Sequence, residues 1–368
     1  MDGSLNRLHE LLFAKGIAFA RYSLPGNEKT LTLISFHPLA FQEINSLAKQ
    51  EQEGFVFAPF VVSKEHPIWF LSTDKIIDES TDIQAIEEYL NTFPDVKHKI
   101  TIPETTSSKN EYSRAFNLYM NKLKSGTLDK AILSKIRTKP RTEESLFSLF
   151  TRLTKTYSKA FAYLIHLPTG ELWMGATPEL LLLKDDKGLK TMALAGTQLL
   201  QERSLKEVVW QKKEIDEQAY VRKYVEKILS TVSDSVKVSE TYTSQAGNLV
   251  HLRSDFSIEE NFERYKIIEL VKNLHPTPAV CGIPLEKSKE LILNTEQFNR
   301  AYYTGFLGPI KANEINLFVN LRCMKVMPEK FALYVGGGIT RDSELEREWE
   351  ETEAKAQTLL SVIELKEK

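Results

Sequence analysis

FAYLIHLPTGELWMGATPELLLLKDDKGLKTMALA, residues 161–195, reads as two successive β-hairpins. The apolar runs FAYLIHL and ELWMGA flank Pro168, Thr169 and Gly170, and ELLLLK and LKTMALA flank Asp185, Asp186, Lys187 and Gly188. Turn residues between two strand-like runs predict antiparallel pairing. Helical patterns occur elsewhere but do not alternate regularly with strands, so the pattern is α+β rather than a βαβ repeat.

Working outward, KAILSKIR (130–137), TLTLISF (30–36) and FVFAPFVV (55–62) also read as strands, and 82–92, 112–124 and 204–230 as helices. TIPETTSSKNEY (101–112), rich in Ser and Thr, reads as a loop. In NLFVNLRCM (316–324) the residues alternate, with Leu317, Val319, Leu321 and Cys323 on one face and Asn316, Phe318, Asn320 and Arg322 on the other. FALYVGGG follows, and its three glycines suit a tight turn or a close backbone approach. A last helix is predicted from about 343 to 365.

At 368 residues, with 42% hydrophobic and 27% charged residues, the chain can bury a core without disulfide or metal staples. Lys and Arg number 48 against 50 Asp and Glu, which gives no basic excess for a nucleic acid, and no such partner is expected. Cys281 and Cys323 fit no metal spacing and suit a reducing compartment. The start, MDGSLNRLHELLFAKG, has no basic stretch leading into an apolar run, and no apolar stretch is long enough to span a bilayer. A cytoplasmic monomer without a membrane partner is expected.

The last predicted helix carries Glu344, Glu348, Glu351 and Lys355 on one stripe, beside a more apolar stripe of Leu345, Trp349, Thr352 and Ala356. The 204–230 helix carries Glu214 and Glu217, three residues apart on one face. These are either solvated helix faces or the halves of a magnesium site, since Mg²⁺ takes one or two carboxylates plus waters and substrate oxygens. Spacing alone leaves both open.

LDKAILSKIR, WMGATPELLLL, MALAGT, KEIDEQAYV, NLHPTPAVCGIP, YYTGFLGPI, FVNLRCM, YVGGGI and EREWEETEAKAQTLL occur in the order found in the chorismate-utilising enzymes. The chain resembles that family from about residue 112 to 363. The resemblance implies the anthranilate synthase component I-like fold, two facing antiparallel sheets flanked by helices with the active site between layers. It makes residues 1–100 a variable N-terminal part of the same α/β unit and 111–368 the chorismate-binding catalytic region.

The resemblance also implies roles. Lys130 matches a general base and Glu179 a general acid. Glu217 and Glu351 match magnesium carboxylates, supported by Glu214 and Glu348. Thr197, His275, Tyr303, Arg322, Gly336, Gly338 and Lys355 match positions that hold the substrate. Residue type alone would allow Lys130 to be a surface lysine, Glu179 an exposed turn residue and Arg322 half of a structural ion pair. A free glutamate is ionised at neutral pH, so Glu179 needs an apolar setting to serve as an acid, and the four leucines after it suit that.

Ammonia-using members of the family carry glutamine where this chain has Lys130, and aminodeoxychorismate synthases carry a nucleophilic lysine where it has Ala195. Water is therefore the expected nucleophile. The expected reaction is isomerisation of chorismate to isochorismate, an isochorismate synthase activity of menaquinone or siderophore biosynthesis. The alternatives are a salicylate synthase, which also eliminates pyruvate, and a non-catalytic homologue that binds a chorismate-like ligand. Lys135, Gln198, Gln218 and Cys281 depart from the usual family pattern.

Overall fold

Both expected hairpins form, but they belong to different sheets. In the computed structural model, which describes residues 2–78, 81–96, 104–200 and 203–364, Phe161–His166 pairs with Leu172–Thr177 in one sheet. Leu180–Asp185 pairs with Gly188–Leu199 in the other. The link Thr177-Pro178-Glu179-Leu180 therefore carries the chain from one sheet to its neighbour.

Among the described residues the first sheet has nine strands, in the order Gly282–Ile283, Lys130–Pro140, Lys330–Thr340, Cys323–Val326, Leu172–Thr177, Phe161–His166, Ala18–Ser23, Leu31–Ser35 and Lys75–Ile77. The second has ten, centred on Leu249–Ile258, Gly188–Leu199, Leu180–Asp185, Ile315–Val319, Phe306–Ile310 and Gly54–Ala58. N-terminal strands complete both sheets, so the described N-terminal residues share the core of the rest.

NLFVNLRCM is not one strand. Ile315–Val319 lies in the second sheet and Cys323–Val326 in the first. Leu317 and Val319 pack toward the helices outside the second sheet, whereas Cys323 packs between the sheets. The expected alternation breaks because Arg322 adopts a left-handed conformation, φ 47°, which turns the chain across. The two crossovers are tied together. The Val319 amide donates to the Glu179 carbonyl at 3.0 Å, the Ala176 amide to the Arg322 carbonyl at 3.2 Å, and the Thr177 hydroxyl to the Val319 carbonyl at 2.6 Å.

The space between the sheets is filled by aromatic rings. Phe161 of the first sheet stacks on Phe318 of the second with centroids 4.3 Å apart, and Phe57 stacks on Tyr302 at the same distance. Such pairs add about 0.5–1.5 kcal/mol each beyond area burial. Outside the second sheet lie Lys212–Leu229 and Arg264–Leu274, buried through Val221, Val225, Leu229, Ile268 and Val271. Outside the first lie the helices Asp2–Ala14, Leu146–Thr156 and Leu345–Glu364. The order of layers is helix, sheet, sheet, helix.

The helix expected over 204–230 runs from Lys212, because the Glu214 carboxylate accepts the Gln211 amide and starts it there. Of the loop expected over 101–112, residues 101–103 lie outside the described residues. The helix Lys109–Lys124 begins at the Ser108–Glu111 capping box. Residue 365 of the last predicted helix is likewise outside them. Both cysteines are buried and free. Among the described residues no helix is long and apolar enough to cross a membrane.

Candidate active site

A cleft opens beside the crossovers. It is lined by Glu179, Thr197, Glu217, Tyr303, Arg322, Gly336, Gly338 and Lys355, eight of the residues expected from sequence.

Lys130 begins the strand Lys130–Pro140 and is 0% exposed, so it is not a surface lysine. Its Nζ lies 2.9 Å from Glu217 Oε1, an ion pair outside hydrogen-bond geometry. A glycine on the neighbouring strand, two residues before Thr340, the partner of Lys130, explains the contact. At Gly338 a Cβ would collide with the Glu217 carboxylate and stand 2.9 Å from Lys130 Cε. Only glycine lets the lysine and the glutamate meet over this strand. The three glycines thus sit inside the regular strand Lys330–Thr340, paired with Lys130–Pro140, and not in a turn. At Gly336 a Cβ would lie 2.8 Å from Ser134 Oγ and 2.9 Å from Tyr303 Oη, so the two hydroxyls line the gap.

Glu179, on the first crossover, is 4% exposed. Burial pushes its carboxyl up to about 8, against the opposing pull of Lys130, Lys355 and Arg322. At neutral pH it carries a proton. Glu217 behaves oppositely. Burial raises it, but Lys130, Lys213 and Lys355 together hold it below the ordinary carboxylate range, so it is ionised.

Arg322, on the second crossover, has no acidic partner among the described residues. Its Nη2 donates to His251 Nε2 at 2.6 Å and its Nη1 to the Ala246 carbonyl at 3.1 Å. Burial lowers the guanidinium to about 10, which leaves it charged at neutral pH. His251 lines the cleft and was not legible in the sequence, where it reads as one more position of an alternating strand. Thr197 sits opposite it, just past a bulge at Gly196, whose φ of 70° re-aims the chain.

The glutamates converge from two helices. Glu214, Lys213, Glu348 and Glu351 line a groove that shares Thr197 with the cleft. Glu348 is 1% exposed, so the stripe is buried at its middle while Glu344 at its start stays in solvent. Its Oε1 pairs with Lys213, while Oε2 is buried with no hydrogen-bond partner among the described residues. Burial, and then the Glu351 charge, push Glu348 up to about 7. Glu351 pairs with Lys355 at 2.8 Å, and Lys355 also donates to the Gly336 carbonyl at 2.9 Å. Glu214 is partly committed, its Oε2 accepting the Gln211 amide at 3.0 Å.

Neither Lys130 nor His275 is among the residues lining the cleft, and Lys130 lies just behind Gly338, which is. His275 is set further off. It caps the helix Arg264–Leu274, with Nε2 at 3.2 Å from the Pro59 carbonyl and its ring edge-on to Phe306 at 5.0 Å. The ring fills the seam between that helix end and the second sheet, and so packs rather than faces the cleft.

A family model described as chorismate binding enzyme matches residues 14–364. The isochorismate synthase DhbC of Bacillus subtilis (strain 168) is 28% identical over 285 residues, 72% of this chain and 70% of that one. The structure of MenF, the menaquinone-specific isochorismate synthase from Escherichia coli, superposes with a TM-score of 0.76 at 19% identity, covering 96% of this chain and 91% of the other. Anthranilate synthase component I from Streptococcus pneumoniae TIGR4 superposes with a TM-score of 0.66 at 16% identity, covering 93% and 89%. These two structural likenesses show the fold, two facing antiparallel sheets flanked by helices.

Proposed function

This chain belongs to the chorismate-binding enzymes, and on that premise we propose that it is an isochorismate synthase, adding water at C2 of chorismate with loss of the C4 hydroxyl. The observation that carries the reading is a protonated buried acid, Glu179, in the cleft wall, with the buried Lys130 near enough to pull on its proton and lying behind Gly338 of the same wall. The relative from Bacillus subtilis carries the same activity in its name.

The reaction needs a base and an acid at once. Lys130 first gives up the proton it carries in its ion pair with Glu217, and then takes a proton from the attacking water while the C2–O bond forms. The ring double bonds shift and the C4–O bond breaks. Glu179 gives its proton to the departing hydroxide, which leaves as water, so one water enters and one departs. Arg322, with guanidinium donors to spare, and the Tyr303 hydroxyl suit the substrate's carboxylates. Thr197, Gly336 and Lys355 complete the walls.

Magnesium is proposed as the cofactor. Among the described residues no three His, Cys, Asp or Glu side chains are grouped to hold a metal, but this ion commonly uses one or two carboxylates and completes its shell with waters and ligand oxygens. The buried, unpartnered Oε2 of Glu348 beside Glu351 fits a cation. Glu217 and Glu351 would hold the ion, with Glu348 and Glu214 in support. When bound, it supplies positive charge to a carboxylate of the substrate.

The test is chromatography of products from purified protein, chorismate and Mg²⁺. Isochorismate with little pyruvate is expected. Salicylate with stoichiometric pyruvate would make the chain a salicylate synthase, and anthranilate formed with ammonium would overturn the choice of nucleophile. Bound chorismate without turnover would mark a ligand-binding homologue.

A further inference from the structure

His251 occupies a singular place in the cleft wall. It stands on the strand Leu249–Ile258, opposite Thr197 across the Gly196 bulge. Its Nδ1 lies 3.1 Å from the Gly196 carbonyl and 3.3 Å from Thr197 Oγ1. That carbonyl can only accept, so Nδ1 carries the ring proton and Nε2 presents its lone pair. Arg322 Nη2 donates to that lone pair at 2.6 Å.

An arginine has five N–H donors in a fixed fork. His251 and the Ala246 carbonyl engage one each. Arg322 lies on the strained crossover at φ 47°, where its backbone alone does not fix so long a side chain. An acidic partner would have oriented the guanidinium too, but would have cancelled its charge. A neutral imidazole orients it and leaves the charge for a ligand. The ring is neutral here, because burial and then the nearby Arg322 and Lys355 hold its proton affinity well below that of a free histidine.

We propose that His251 is a positioning residue that holds the Arg322 guanidinium toward the cleft, so that its remaining N–H groups meet a carboxylate of the substrate. The inference rests on the reading of the cleft as a chorismate site.

The experiment compares steady-state kinetics of the wild type, His251→Gln and His251→Phe, alone and combined with Arg322→Met, with folding checked by circular dichroism. His251→Phe fills the space without an acceptor, and should raise KM for chorismate about tenfold, as expected for loss of a charged hydrogen bond, with kcat changed far less. His251→Gln keeps an acceptor oxygen and should recover much of the loss. In the Arg322→Met background His251→Phe should add nothing. If His251→Phe does not fold, His251→Asn, too short to reach Arg322, takes its place. An unchanged KM, or an undiminished effect in the Arg322→Met background, overturns the proposal. A wild type that makes no isochorismate would defeat the reading of the reaction, and calorimetric titration of chorismate with the same variants would then read the positioning role alone.

Discussion

The Glu179 carbonyl accepts the Val319 amide at 3.0 Å, and this bond clamps together the two places where the chain passes between sheets. Each crossover delivers one side chain to the cleft, Glu179 from the first and Arg322 from the second. Because neighbouring strands cross side by side, the two residues arrive at the same cleft although 143 positions separate them in the sequence.

Lys130→Ala should abolish most turnover with the fold retained. Loss of a positioned general base typically costs about 10²–10⁴-fold in rate. Glu217 keeps Lys213 and Lys355 as nearby countercharges, so the melting curve should remain cooperative. Turnover within a few-fold of wild type would remove Lys130 from the mechanism.

The Glu179 proton predicts a pH dependence. The group holds its proton to about 8 in the folded chain, against 4.5 as the ordinary value. Activity that needs the acid should fall about tenfold per pH unit above that point, and the limb in kcat/KM should vanish in Glu179→Gln along with most of the activity. Stability carries the same sign. Between 4.5 and about 8 the native state binds more protons than the unfolded one, so this group's contribution is full below 4.5 and is lost as pH rises through 8. Urea titrations across that range, wild type against Glu179→Gln, measure it.

Magnesium should stabilise the protein as well as activate it. A ligand that binds only the native state adds about 2.7 kcal/mol at a hundredfold excess over its Kd, so the melting temperature should rise with MgCl₂ and fall back with a chelator. Glu351→Gln should weaken that shift. An equal rise in the variant would place the ion elsewhere.

Gly338→Ala should cripple the enzyme through packing alone. The added Cβ would run into the far ends of the Glu217 and Lys130 side chains, which can shift at little cost in stability but only by moving the pair. The expected outcome is a folded protein whose kcat falls far more than its melting temperature does. Wild-type kinetics would mean that the pair does not need the space.

The hairpins at 161–177 and 180–199 were legible because their turn residues act locally. That the two lie in different sheets was not, since Pro178 and Glu179 look like any short connection. The same blindness merged 316–324 into one strand, because nothing local announces the left-handed Arg322. Motif order named eight residues that the fold brings to one cleft, since chain order and spacing survive where contacts cannot be read. It misplaced His275, whose helix-end packing depends on Phe306 and Pro59. It also passed over His251, whose partners, Gly196 and Arg322, lie 55 and 71 residues away.

Chorismate incubated with the enzyme and Mg²⁺ in H₂¹⁸O tests water as nucleophile most directly. Isochorismate carrying one ¹⁸O at C2, found by mass spectrometry, is the predicted result, with no label gained by Lys130→Ala in the same time. Isochorismate formed without solvent oxygen would contradict the account.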